Sequence, residues 1–143
     1  MEVKSHLEAS PKAGKKFYQH FQDKGRFVML NLLKYRAIAD YNGLDEIQAS
    51  QALSGEEAYR LYLEYTLPLL EKAGSKVLYF GESHHFVIGP ENEKWDAILL
   101  VEHESVAKFL EFSMSGEYLK TAGHRWAALE DSRLLPSRPL DLL

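Results

Sequence analysis

The sequence contains no cysteine, which removes thiol nucleophiles, disulfides, iron–sulfur clusters and cysteine-bound zinc together. Cysteine usage therefore gives no guide to redox compartment. Long apolar runs are missing as well. The longest, Ala97-Ile98-Leu99-Leu100-Val101, falls far short of the ~20 residues that a membrane-spanning helix needs. The N-terminal stretch is interrupted by Lys12, Lys15, Lys16, Asp23 and Lys24, so it lacks the apolar core of a secretory signal, and a cytoplasmic protein is expected. No Walker-type loop, G-x-G-x-x-G, G-x-S-x-G or H-E-x-x-H occurs. Catalysis, if present, has to come from residues that the fold gathers. An excess of positive charge is also absent, since the net charge is −4. Residues 1–36 hold eight Lys/Arg against three acids, net +5, and the remainder holds nine against eighteen, net −9. An acidic body is a poor match for nucleic acid, which requires a positive face to displace counterions.

What is present is an ordinary globular balance. The 143 residues are 45% hydrophobic, 27% charged and 12% aromatic, enough for one domain with its own core. Ser10-Pro11 opens a short basic helix that ends at Lys24-Gly25, with serine as the cap and proline in the first turn. Arg26 to Arg36 reads as a first strand. Residues 37–53, with Asp40, Asn42-Gly43 and Asp45, form a loop long enough to suggest function or mobility. Ser54 and Glu57 fit a capping box. The helix that follows carries the stripe Ala58, Leu61, Tyr62, Tyr65 and Leu69, with a kink expected at Pro68. Lys76 to Ile88, bulged at Gly81, pairs in a hairpin with Trp95 to His103. Ser105 caps a second helix with Val106, Phe109, Leu110 and Met114 inward. After Gly116 it resumes from Glu117 to Leu129 with Leu119, Ala122 and Trp126 inward. Ser132 to Leu135 is the last strand, closed by Pro136.

Beyond the N-terminal helix the order is β-α-β-β-α-β. The fold class is therefore α+β: a ferredoxin-like antiparallel four-stranded sheet with its helices on one face. The expected division is a basic extension over 1–25, the ferredoxin-like domain over 26–136 and a tail over 137–143. Residues in the third strand alternate between faces, and both sets are apolar: Ala97, Leu99 and Val101 on one side, Ile98 and Leu100 on the other. The first strand does the same with Phe27, Met29 and Leu33 against Val28, Leu30 and Leu32. Strands apolar on both sides are buried on both, and two helices cover only one. A second copy of the chain is the expected cover, at about 800 Å² per partner.

Three stretches, Met29-Leu30-Asn31-Leu32-Leu33-Lys34-Tyr35, Trp95 to Val101, and Glu117-Tyr118 through His124-Arg125-Trp126 to Leu134, resemble domain-of-unknown-function family 1330. That family is similar to the dimeric α+β barrels, in which two ferredoxin-like sheets pack face to face. The resemblance implies a homodimer and relatives that include cofactor-free monooxygenases, muconolactone isomerase-like proteins and haem-binding branches. It also leads one to expect a Tyr-Pro or Phe-Pro pair after Val101, where Glu102-His103-Glu104 stand instead.

Among the side chains that can do chemistry, His124 offers acid/base catalysis near neutral pH. Its neighbour Arg125 offers a fork for a carboxylate or enolate, and Asn31 an amide donor for an oxyanion. Tyr65, Tyr118 and His103 are candidate substrate-binding residues. Glu102 and Glu104 flank His103 and would raise its pKa, or form a salt bridge at the rim. His84-His85 does not suggest a metal site, because strand neighbours point apart. No metal or other cofactor is expected. Three readings remain open: a cofactor-independent enzyme acting on an apolar or aromatic molecule with a keto, lactone or carboxylate group, a non-catalytic small-molecule-binding or regulatory dimer, and a haem protein using His84, His103 or His124.

Overall fold

Alternation along the strands decides the architecture. The computed structural model describes residues 6–44, 47 and 51–142; the loop residues 45–46 and 48–50, the start of the basic extension and Leu143 lie outside the described residues. The elements run α1 (Pro11–Phe21), β1 (Phe27–Tyr35), α2 (Gly55–Lys72), β2 (Lys76–Glu82), β3 (Ala97–His103), α3 (Val106–Ser113), α4 (Gly116–Thr121), α5 (Gly123–Ala128) and β4 (Leu129–Ser137). The sheet has the order β2-β3-β1-β4 with every pair antiparallel. It is the ferredoxin-like α+β arrangement with an additional N-terminal helix.

In β3 the residues Ala97, Leu99, Val101 and His103 are all buried, and Ile98, Leu100 and Glu102 are half-buried. The first set faces the helices. In β1 the same side carries Phe27, Met29, Asn31 and Leu33, in register with His103, Val101, Leu99 and Ala97. The opposite face presents Leu30 beside Leu100 and Leu32 beside Ile98, with Tyr79 and Leu135 exposed at the flanks. Nothing in the described chain covers it.

Helix α2 starts at the capping box: Ser54 Oγ accepts from the Glu57 amide at 3.0 Å, and Ser54 N–H donates to the Glu57 carboxylate at 2.9 Å. Gly55 is required there, because a Cβ would strike the Arg36 and Ala128 carbonyls. The helix runs unbroken through Pro68. Its buried stripe is Ala58, Tyr59, Tyr62, Leu63, Thr66 and Leu70. This is rotated by about one position from the apolar pattern, with Tyr65 exposed and the polar Thr66 inside. Gly74, at φ +78°, turns the chain after α2 in the left-handed region that suits glycine and delivers Ser75 to the sheet.

Several boundaries differ from those the sequence suggests. The β2–β3 ladder ends at Glu82, followed by the backbone bonds Ser83 N–H to Asp96 and Trp95 N–H to His84 and by an isolated His85–Lys94 bridge, and the register shift falls between Val77 and Tyr79 rather than at Gly81. The stretch from Glu117 divides into α4 and α5, and Leu129 already belongs to β4. Leu119 and Trp126 are partly exposed instead of inward. Strand β4 continues through Pro136; as an edge strand it tolerates a residue without an amide hydrogen. Helix α1 packs Phe17 and Phe21 against Phe27 and Phe109, forming a second small core.

Candidate functional site

Between the sheet and the helices lies a cavity of about 190 Å³. Met29, Leu99 and Val101 form its floor, Leu63 and Leu70 its α2 wall, and Phe109 and Phe112 of α3 its far wall. Polar groups enter from every side: Asn31 from β1, His103 from β3, Tyr62 and Thr66 from α2, Tyr118 from α4 and Arg125 from α5. An apolar chamber with a few convergent polar groups is the usual form of a small-molecule site, and this one lies below the roughly 300–1,000 Å³ of drug-sized pockets.

His103 is buried at the end of β3, and its Nδ1 lies 2.8 Å from Ser75 Oγ. Phe27 and Phe109 flank the ring. Burial pushes its pKa down to about 4, so the imidazole is neutral at pH 7. This reverses the rise expected from Glu102 and Glu104: strand alternation sends Glu102 to the other face, where it pairs with Arg26 at 3.3 Å. Tyr62 and Tyr118 share a hydroxyl–hydroxyl bond of 2.8 Å, and burial holds the Tyr62 phenol well above its ordinary pKa.

Thr66 is 2% exposed, and its Oγ1 has no hydrogen-bond partner. Among the described residues three other buried polar atoms share that condition, Arg36 Nε, Trp95 Nε1 and Thr121 Oγ1, and of these four residues Thr66 alone lines this cavity. An unsatisfied buried hydroxyl costs about 1–3 kcal/mol, and such a group calls for an explanation.

Asn31, His103, Tyr118 and Arg125 are thus brought to one cavity, whereas His124 and Tyr65 are not among its lining residues. His124 is buried elsewhere, with Nδ1 2.7 Å from the Tyr41 hydroxyl and Tyr65 stacked on it at 5.6 Å. Burial pushes its pKa down. Asn31 Nδ2 donates to the Leu99 carbonyl at 3.1 Å. Arg125 Nη1 donates to the Leu7 carbonyl at 2.8 Å and Nη2 to Ser132 Oγ at 3.2 Å. His84 and His85, off the strand, bring their Nδ1 atoms within 2.8 Å, contrary to the divergence expected of strand neighbours. Among the described residues no group of three potential ligands forms a metal site.

A larger recess of about 680 Å³ opens at the other end of the sheet, lined by Arg36, Arg60 and Lys94 together with Glu56, Glu82 and Asp96. Arg60 pairs with Glu56 at 3.6 Å, and Asp96 accepts from the Tyr35 amide at 2.7 Å. Its charges balance, and Arg36, whose Nε is one of the unpartnered atoms, stands in its wall. The sheet–helix cavity, with a mainly apolar lining and an unpartnered hydroxyl, is the better candidate for a small apolar guest.

Sequence reasoning overlooked Thr66 and Ser75, and placed Tyr62 in the apolar helical stripe without a role in the site. The signal at Thr66 was a hydroxyl inside a helical stripe of buried residues, and that stripe becomes visible only when Tyr59 and Leu63 replace Leu61 and Tyr65 in the pattern.

Fold and cavity together define a small ferredoxin-like α+β protein with an amphipathic internal chamber. The chain belongs to the family called domain of unknown function DUF1330, whose model matches residues 47–135. That match takes in the Trp95 and Glu117 stretches and leaves out Met29–Tyr35. A protein of unknown function from Rhodopseudomonas palustris, RPA0582, is 33% identical, covering 96% of this chain and 99% of its own, with a TM-score of 0.84. A hydroxynitrile lyase from Passiflora edulis is 17% identical over 82% of this chain and 96% of its own, with a TM-score of 0.53; that likeness is one of fold. None of the curated proteins matches the chain. No helix among the described residues is long and apolar enough to cross a membrane.

Proposed function

We propose that the protein is a homodimer, paired through the outer sheet face, in which each protomer binds a small and largely apolar molecule carrying a hydroxyl or carbonyl group in the sheet–helix cavity. One observation carries the ligand: Thr66 Oγ1, buried and unpartnered in the cavity wall, is completed by the polar group of a guest. Neutral His103 and the Tyr62–Tyr118 pair supply further donors and acceptors. The uncovered apolar face supports the dimer, since a wet apolar surface of that kind marks an interaction site.

A second reading, cofactor-independent proton transfer, is favoured by the pairing of His103 with Ser75 at the cavity. The acid/base role then falls to His103 rather than His124. A histidine with a pKa near 4 is a weak base, so it serves better as a neutral hydrogen-bond donor to a carbonyl than as a proton acceptor. Binding is the reading the geometry supports best.

Thr66→Val tests it. Removing an unsatisfied hydroxyl in a near-isosteric exchange should raise stability by about 1 kcal/mol and weaken binding of phenol by roughly 5-fold, the loss of one hydrogen bond. Urea unfolding and an NMR titration with phenol measure the two effects. A destabilised variant with unchanged affinity would make the hydroxyl structural and remove the basis for a ligand.

A further inference from the structure

The N-terminal segment ahead of α1 lies outside the residues matched by the family model, yet it reaches the cavity. Leu7 is one of the lining residues and packs against the main core. The segment is tied down on both sides of Leu7. His6 N–H donates to Asp131 Oδ1 at 2.7 Å, the Ser132 hydroxyl donates to the His6 carbonyl, and Arg125 Nη1 donates to the Leu7 carbonyl at 2.8 Å. Arg133 Nη1 and the Ser132 amide, each at 2.8 Å, hold the same Asp131 oxygen.

One consequence follows for whatever occupies the chamber, and it concerns length. Ser132 and Leu134 of β4 stand opposite Leu33 and Asn31 of β1, so the tie to Ser132 places Leu7 at the Asn31 end of the cavity. His103 stands four residues further along β3 than Leu99, the partner of Asn31, about 13 Å away at the usual strand rise. Leu7 therefore closes one end of an elongated chamber whose other end is His103.

We infer that Leu7 and the segment it anchors set the length of guest that the cavity accepts, restricting it to single-ring molecules bearing a hydroxyl or carbonyl. This deepens the binding reading above and rests on it. Arg125 takes part as a positioning residue, its guanidinium holding the segment that walls the site.

The test uses the full chain at pH 7 and two probes, phenol and 2-naphthol, titrated by NMR into the wild type and into Leu7→Ala. The wild type should bind phenol more tightly than 2-naphthol. Leu7→Ala should improve 2-naphthol binding at least 10-fold relative to phenol, because the shortened side chain lengthens the chamber. Leu7→Val, expected to shift the same ratio by a smaller amount, serves if the alanine variant does not fold. An unchanged naphthol-to-phenol ratio in the folded variants would overturn the inference while leaving the cavity a binding site. Failure of every probe to bind either protein would remove the cavity reading and this inference with it.

Discussion

Leu100→Asp is expected to convert a particle of twice the 16.4 kDa chain mass into one of the single chain mass. Leu100 occupies the middle of the outer sheet face, with Leu30 of β1 and Tyr79 of β2 as its cross-strand neighbours. Around it, Val28, Leu32 and Ile98 are also only half-buried, while Leu135 is exposed at the β4 flank. Within one chain this face meets water, so a single aspartate there costs little. In a two-fold pair, both copies carry the same charge into an apolar interface with no partner for either. An uncompensated buried charge costs about 3–5 kcal/mol, so dissociation should be favoured by at least a thousandfold. Light scattering at micromolar concentration reads the mass, and near-ultraviolet circular dichroism checks that the subunit remains folded. A wild type that is already monomeric would contradict the proposed pairing.

Acidification should unfold the protein through His103. The imidazole is 3% exposed and its pKa lies near 4, pushed down by burial, against 6.5 for an ordinary histidine. The unfolded chain therefore binds a proton between pH 6.5 and 4 that the folded chain refuses. The stability associated with neutral His103 is complete above pH 6.5 and is lost as the pH falls towards 4. At 1.36 kcal/mol per pH unit the loss approaches about 3 kcal/mol, a large share of the ~5–15 kcal/mol that holds a domain together. Urea midpoints measured at pH 7.5 and 4.5 for the wild type and for His103→Phe separate this residue from the rest. The phenylalanine joins Phe27 and Phe109 and cannot titrate, so its stability should fall less on acidification. His124, also held below its ordinary pKa by burial, adds to the loss in both proteins and cancels in the comparison. Equal losses in the two would show that His103 titrates normally.

Much of the scaffold was legible because local chemistry and global packing agree. The serine caps at Ser10, Ser54 and Ser105 each accept the amide expected of them, and the two-sided apolar pattern of β1 and β3 is that of a sheet with one face under helices and one left open. The same alternation puts His103 on the side of Leu99 and Val101, so its burial was readable even though Glu102 and Glu104 suggested a charged rim. The site itself was only partly readable. Thr66 does not count as apolar in a periodicity search, yet it faces inward because Tyr59 and Leu63 define the buried side of α2. Leu7 stands among charged residues and acquires its meaning only from Arg125, 118 positions later in the chain. His124 and Arg125 are neighbours in sequence, but consecutive helical positions do not share a face. One side chain turns to Tyr41 and Tyr65, the other to the cavity and the N-terminal segment.

The most direct measurement is a crystal structure of the full chain soaked in p-cresol. An aromatic ring should lodge between the sheet residues Leu99 and Val101 and the rings of Phe109 and Phe112, with its hydroxyl within hydrogen-bond distance of Thr66 Oγ1. A chamber filled by side chains, or a guest held only in the open recess near Arg36 and Lys94, would contradict the proposed binding.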